Sequence, residues 1–273
     1  MTNKTYQQTI LEWRKEREQS IRKENGWLAL SGLFWLKPGK NRIGSDPACE
    51  VNLPKGATAE IGYLDYDGKS VVLLINPGQS VKVNDKSIAF AILEPDVANN
   101  PSFISLDDLR LVVIQRGNRM GVRLWDNQRA ARRLFPPRTW YEIDEGFCVS
   151  GRYTAYDRPK MVFSPDVTGE KTEYPVEGFI SFEFSGRAYQ LDVTKEEDES
   201  LFVRFWDPTS KSETYPAGRY LIAKMEKDGK AALDFNYAYN PPCAFTDFAT
   251  CVFAPEQNWL DFRIEAGETY KHH

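Results

Sequence analysis

With 273 residues, 41% of them hydrophobic and 27% charged, the chain has enough material for one large β core or two of ordinary size. A net charge of −4 gives no electrostatic basis for nucleic-acid binding, and the longest apolar runs, such as Val71 to Ile75, are strand-sized rather than membrane-spanning. The two histidines, His272 and His273, read as the start of an appended tag, and without an imidazole elsewhere Ser-His-Asp and Cys-His nucleophiles, HExxH sites and His-rich zinc sites drop out.

The N-terminal region carries Thr5, Gln7, Glu12, Arg14 and Lys15 and no apolar stretch of the kind that directs secretion. Cys49, Cys148, Cys243 and Cys251 therefore read as reduced thiols of a soluble, cytoplasmic protein. From Thr5 to Glu24, Tyr6, Ile10, Trp13 and Ile21 recur at helical spacing opposite Arg14, Lys15, Glu16, Glu18, Arg22 and Lys23, which predicts an amphipathic helix within residues 1–25. Thr5 with Gln8 forms a capping box, and Asn25-Gly26 is the expected stop, with the glycine in the left-handed conformation.

Beyond Gly26 the pattern becomes short β-branched and aromatic runs divided by turn residues, the mark of antiparallel β structure. Strands are expected at Leu33 to Leu36, Ala59 to Tyr66, Ser70 to Ile75 and Val81 to Val83, and a hairpin at Leu109 to Trp125 across Arg116-Gly117-Asn118-Arg119. The segment from Arg129 to about Gly146, with Pro136-Pro137, breaks the rhythm and connects two β-rich halves, 26–145 and 146–273. In the second half, Phe179 to Phe184, Ala188 to Val193 and Leu201 to Trp206 alternate apolar and polar residues, and Tyr220 to Met225 pairs with Ala231 to Asn236 across Asp228-Gly229. The expected fold is mainly β: an N-terminal helix, a β-sandwich, and a second antiparallel β-sandwich or barrel.

The stretch Leu36-Lys37-Pro38-Gly39-Lys40-Asn41-Arg42-Ile43-Gly44-Ser45-Asp46, followed by a ladder of short strands, resembles the opening of a forkhead-associated (FHA) β-sandwich. In that family an arginine directly after the Ile-Gly pair and a later Ser-x-x-His hold phosphothreonine. Here the arginine position is Ser45 and no histidine completes the second motif, so the resemblance implies an FHA-like scaffold that does not take phosphothreonine peptides. A broader resemblance rests on Gly26-Trp27-Leu28, Gly32 to Leu36, Arg123 to Asp126, Thr214 to Leu221 and above all Leu233-Asp234-Phe235-Asn236-Tyr237-Ala238-Tyr239-Asn240-Pro241-Pro242-Cys243-Ala244-Phe245. These resemble the DUF1684 family of bacterial and archaeal proteins, whose function is unknown, so the resemblance implies a shared fold and no activity.

The candidate ligand-binding residues are Arg219, Asp234, Asn236, Tyr239, Asn240 and Cys243. Asp234 and Asn236 alternate with apolar Leu233 and Phe235 and so share one strand face, and Arg219 begins the paired strand, which brings the two ends together at an open edge of the scaffold. A guanidinium among amides and a carboxylate suits a small anionic or polar molecule. Alternatively, Arg219 and Asp234 form a buried pair while the asparagines bond turn backbone. Cys243 and Cys251 lack the further ligands a zinc site takes, so neither a metal nor a cofactor is expected. The function expected is binding of that small molecule by the second half; the alternative is a histidine-independent, hydrolase-like enzyme using Cys243, Tyr239 or Asp234, whose catalytic residues the sequence does not single out.

Overall fold

A computed structural model describes residues 5–271, so His272 and His273, read above as part of a tag, lie outside the described residues. The predicted helix is α1, Tyr6–Arg22. Its capping box forms: the Thr5 N–H donates to Gln8 Oε1 at 3.0 Å and the Gln8 N–H to Thr5 Oγ1 at 3.3 Å. The stop differs from the expectation. Asn25 takes the left-handed conformation, φ 55°, whereas Gly26 is extended, φ −78°. The glycine is needed for closeness instead, since a Cβ there would lie 2.8 Å from the carbonyl oxygens of Ile21 and Lys23.

The chain divides into two compact units, Gln19–Phe135 and Met1–Glu18 with Pro136–His273. The break falls ten residues before the expected end of the first half at 145, because 136–145 is tied into the second unit. Tyr141 N–H donates to the Gly267 carbonyl at 3.0 Å, Thr269 N–H to the Thr139 carbonyl at 2.9 Å, and Trp140 bridges to Glu268.

The 19–135 unit is a sandwich of two sheets. Its strands are β1 Leu30–Trp35, β2 Gly39–Gly44, β3 Val51–Asn52, β4 Gly62–Tyr66, β5 Val71–Ile75, β6 Lys82–Val83, β7 Lys86–Ser87, β8 Phe90–Leu93, β9 Phe103–Leu106, β10 Leu109–Arg116 and β11 Arg119–Asp126. One sheet runs β1-β11-β10-β9-β6-β7 and the other β3-β2-β4-β5-β8. Alternate residues of both sheets fill one core, among them Ile43, Leu64, Leu73, Leu111, Val113 and Val122. The β10–β11 hairpin pairs Arg116 with Arg119 across a turn in which Gly117 has φ 55°, as the sequence predicts. A one-turn helix, α2 Ala131–Leu134, follows.

The second unit is a closed six-stranded antiparallel barrel: β12 Cys148–Pro165, β13 Lys171–Phe184, β14 Arg187–Lys195, β15 Leu201–Phe205, β16 Arg219–Met225 and β17 Lys230–Asp234. Closure comes from β12 pairing with β17, Cys148 opposite Asp234. Closure removes the unpaired edges that an open sheet would expose. Ile180, Leu191, Val203, Leu221, Leu233 and Phe235 fill the interior. Among the described residues no helix is long and apolar enough to cross a membrane.

Candidate functional site

Strand phase decides which of the expected site residues meet. Along β16 the burial pattern places Arg219, Leu221 and Ala223 inside the barrel and leaves Ile222 and Lys224 outside. Arg219 is therefore not at an open edge: it is 1% exposed. Its guanidinium donates to Asp207 Oδ1 at 2.9 Å, Thr209 Oγ1 at 3.4 Å and the Ile264 carbonyl at 2.9 Å. The second carboxylate oxygen of Asp207 accepts from the N–H of Ile264 at 2.9 Å. This ion pair, with both side chains fully buried, seals one end of the barrel; the carboxylate is Asp207 and not Asp234.

Asn236 and Asn240 are buried as well. β17 ends at Asp234, and Phe235–Tyr237 forms a 3-10 turn capped by Asp234 Oδ1, which accepts from the Asn236 N–H at 3.1 Å. The turn breaks the expected alternation and swings Asn236 inward, where its amide donates to the Asp144 carbonyl at 2.8 Å and its carbonyl accepts from the Asp144 N–H at 3.0 Å. The Asn240 amide donates to the Thr269 carbonyl at 3.0 Å, and its backbone N–H to Glu268 at 2.9 Å. Cys243 is half-buried and hydrogen-bonds Cys251 and Tyr215. Expectation and structure part here: Arg219, Asn236 and Asn240 do not line one water-accessible hollow.

Two of the six, Asp234 and Tyr239, do reach an open pocket of about 410 Å³ on the outside of the barrel. α1 supplies Trp13 and Arg17, one helical turn apart on one face; β16 supplies Ile222 and Lys224; β12 and β17 supply Cys148 and Ala232; Tyr237 completes the wall. The walls are aromatic and pre-arranged. Trp13 meets Tyr237 edge-on, with centroids 4.9 Å apart, and the Arg17 guanidinium lies 3.9 Å from the Tyr239 ring centroid. Asp234 is held from behind by the Tyr6 hydroxyl, which donates to Oδ2 at 2.8 Å.

Burial sets the charge states. Desolvation lowers the pKa of Arg17, with Tyr239 and Glu268 acting against it, and raises those of Tyr239 and Cys148, so hydroxyl and thiol hold their protons at neutral pH. Glu268, whose charge acts on both Arg17 and Tyr239, is fully buried; it accepts from Arg138 Nη1 at 3.3 Å and from Asn240, yet desolvation outweighs these partners and pushes it up to about 7. Trp13, Arg17, Lys224 and Tyr237 were not among the residues expected from sequence. The available signals were the i, i+4 spacing of Trp13 and Arg17 and the outward phase of Ile222 and Lys224.

Fold and pocket thus define a small closed β-barrel with a helix laid over an aromatic and cationic hollow. Residues 134–269 match the family model described as "Protein of unknown function (DUF1684)", and through this segment the chain belongs to that family. Among solved structures, the chain is similar to an uncharacterized protein from Haloarcula marismortui determined by solution NMR, at 30% identity over 50% of this chain and 77% of that one, with a TM-score of 0.41. No curated protein matches the chain.

Proposed function

We propose that the barrel unit binds a small anionic molecule with a flat apolar body in the pocket between α1 and the outer face of β16 and β17. The observation that carries this reading is the placement of two cations, Arg17 and Lys224, on a hollow walled by Trp13, Tyr237 and Tyr239. Rings stack against the body of the ligand and the cations meet its charge. Asp234, fixed by Tyr6 and Asn236, offers an acceptor to a hydroxyl or amine elsewhere on the ligand. Protonated Tyr239 and Cys148 are poor nucleophiles and poor bases, which favours binding over turnover here.

Fluorescence titration with 1-anilinonaphthalene-8-sulfonate, an anion with a flat body, tests the reading. Saturable binding at one site is expected, weakened about tenfold by Arg17→Gln and lost in Ala232→Trp, whose indole fills the hollow. Binding that neither variant alters would overturn it.

We read the remaining expectations in the same way. An FHA-like scaffold for 26–145 is supported by the six- and five-stranded sheets with a parallel β2–β3 pair. The inability to bind phosphothreonine peptides is supported by Ser45, whose hydroxyl is spent on the Ala57 carbonyl at 2.7 Å. A cytoplasmic location is supported by four free thiols.

A further inference from the structure

The second unit holds a pair of thiols that the pocket does not use. Cys243 lies in the 3-10 turn Pro242–Ala244 and Cys251 in irregular chain beyond it, where its carbonyl accepts from the Val167 N–H at 2.9 Å. The two meet directly. The Cys243 N–H points at Cys251 Sγ across 3.3 Å, and the side chains hydrogen-bond each other, with the Tyr215 hydroxyl as a second partner of Cys243. Both cysteines are free. Cys243 is half-buried and Cys251 is 8% exposed. Tyr215 also lines an open hollow of about 350 Å³ with Pro216, Ala217, Phe253 and Tyr270, so small molecules come within one side chain of the sulfur. Neither cysteine lies in a strand or a long helix, so closing to a bond length demands side-chain rotation and a local shift of loop, with no ladder to break.

From this geometry we propose that Cys243 and Cys251 form a peroxide-sensitive dithiol: Cys243 is the attacking thiol, Cys251 the resolving one, and the product is a reversible intramolecular disulfide. The Cys243 sulfur attacks the terminal oxygen of a hydroperoxide; an S–O bond forms, the O–O bond breaks, and the alkoxide or hydroxide leaves with the proton that Cys243 gave up. The Cys251 sulfur then attacks the sulfenic sulfur of Cys243; the S–S bond forms, the S–OH bond breaks, and hydroxide departs as water with the proton of Cys251. Two thiols lose two electrons and the peroxide gains them. The division of roles agrees with the electrostatics: hydrogen bonds from Cys251 and Tyr215 lower the pKa of Cys243, whereas Cys251 is raised. Cys148, the exposed thiol, is held up by desolvation and by Asp234, so exposure and reactivity are expected to separate.

The test treats the reduced full-length protein with hydrogen peroxide, followed by alkylation of remaining thiols and peptide mass analysis. The expected result is loss of two hydrogens and of two alkylation sites within the peptide that carries both Cys243 and Cys251, reversed by dithiothreitol, with Cys148 and Cys49 still alkylated. In Cys251→Ser, Cys243 accumulates as a sulfenic acid trapped by dimedone, at least about tenfold faster than any adduct at Cys148; in Cys243→Ser, neither disulfide nor adduct appears at Cys251. The wild-type measurement stands without the variants. Retention of both thiols at peroxide concentrations that oxidise Cys148 overturns the proposal, as does a dimedone adduct confined to Cys251.

Discussion

Arg219, Asp207 and Glu268 are charged side chains that the fold takes almost completely out of water. Arg219 is legible in the sequence as a residue at a strand end and illegible as to which side it faces, because its carboxylate partner, Asp207, comes from the loop after β15, 12 residues away. With both partners fully buried, removing one leaves the other uncompensated. Arg219→Ala or Asp207→Ala is expected to cost about 3–5 kcal/mol in urea unfolding, and the double variant less than the sum of the two; a loss below about 1 kcal/mol for Arg219→Ala contradicts this. Glu268 supplies the second residue-scale prediction. Burial raises its folded pKa to about 7, above that of an unfolded glutamate. The folded state therefore binds the proton more tightly, so the associated stability is present below about pH 4.5 and is lost as pH rises through about 7. Stability contributed by this group is expected to fall by about 3 kcal/mol between pH 4.5 and 8, and Glu268→Gln, which keeps an acceptor for the Asn240 N–H, should flatten that slope. An unchanged slope in the variant refutes the assignment.

At the scale of elements, what could be read were the features with local chemistry. The capping box of α1, the Gly117 turn and the Asp228-Gly229 turn, where both residues have positive φ, each need particular side chains at particular places. β12 was not legible. Its 18 residues are mostly exposed on both faces, so the period-two alternation that reveals a half-buried strand is missing. The pocket was only half legible for a related reason: Asp234 and Tyr239 stand in a distinctive segment and Lys224 sits on the paired strand of the same hairpin, but Trp13 and Arg17 come from α1, at the far end of the sequence, and no local pattern announces that they meet. The loop behind the pocket makes an element-scale prediction through Gly267. It has φ 81°, and a Cβ there would lie 2.6 Å from the Ala238 carbonyl oxygen and 2.7 Å from that of Phe235. Gly267→Ala is expected to cost at least about 2 kcal/mol in thermal or urea unfolding, since strain and collision add; a neutral effect would show that the loop relaxes freely.

On the scale of the whole chain, the 19–135 unit has its own core and closes its own ends. The Arg22 guanidinium donates to the carbonyls of Arg132 at 3.1 Å and Phe135 at 2.7 Å, and Asn25 N–H to Asn127 Oδ1 at 2.8 Å. A fragment of residues 19–135 is accordingly expected to fold and melt cooperatively, as seen by near-UV circular dichroism and differential scanning calorimetry. A featureless thermogram would show that the sandwich depends on the rest of the chain. The barrel unit, by contrast, is assembled from both chain ends, with Trp13 and Arg17 completing the pocket on its outer face. In the proposed reading, this pocket selects for negative charge as well as for a flat apolar body. The measurement that addresses it most directly compares, on the wild-type protein at one salt concentration, the dissociation constants of 1-anilinonaphthalene-8-sulfonate and of uncharged N-phenyl-1-naphthylamine. The sulfonate is expected to bind about tenfold or more tighter, a difference of about 1.4 kcal/mol that disappears in the Arg17→Gln, Lys224→Gln double variant; equal affinities in the wild type would contradict the account.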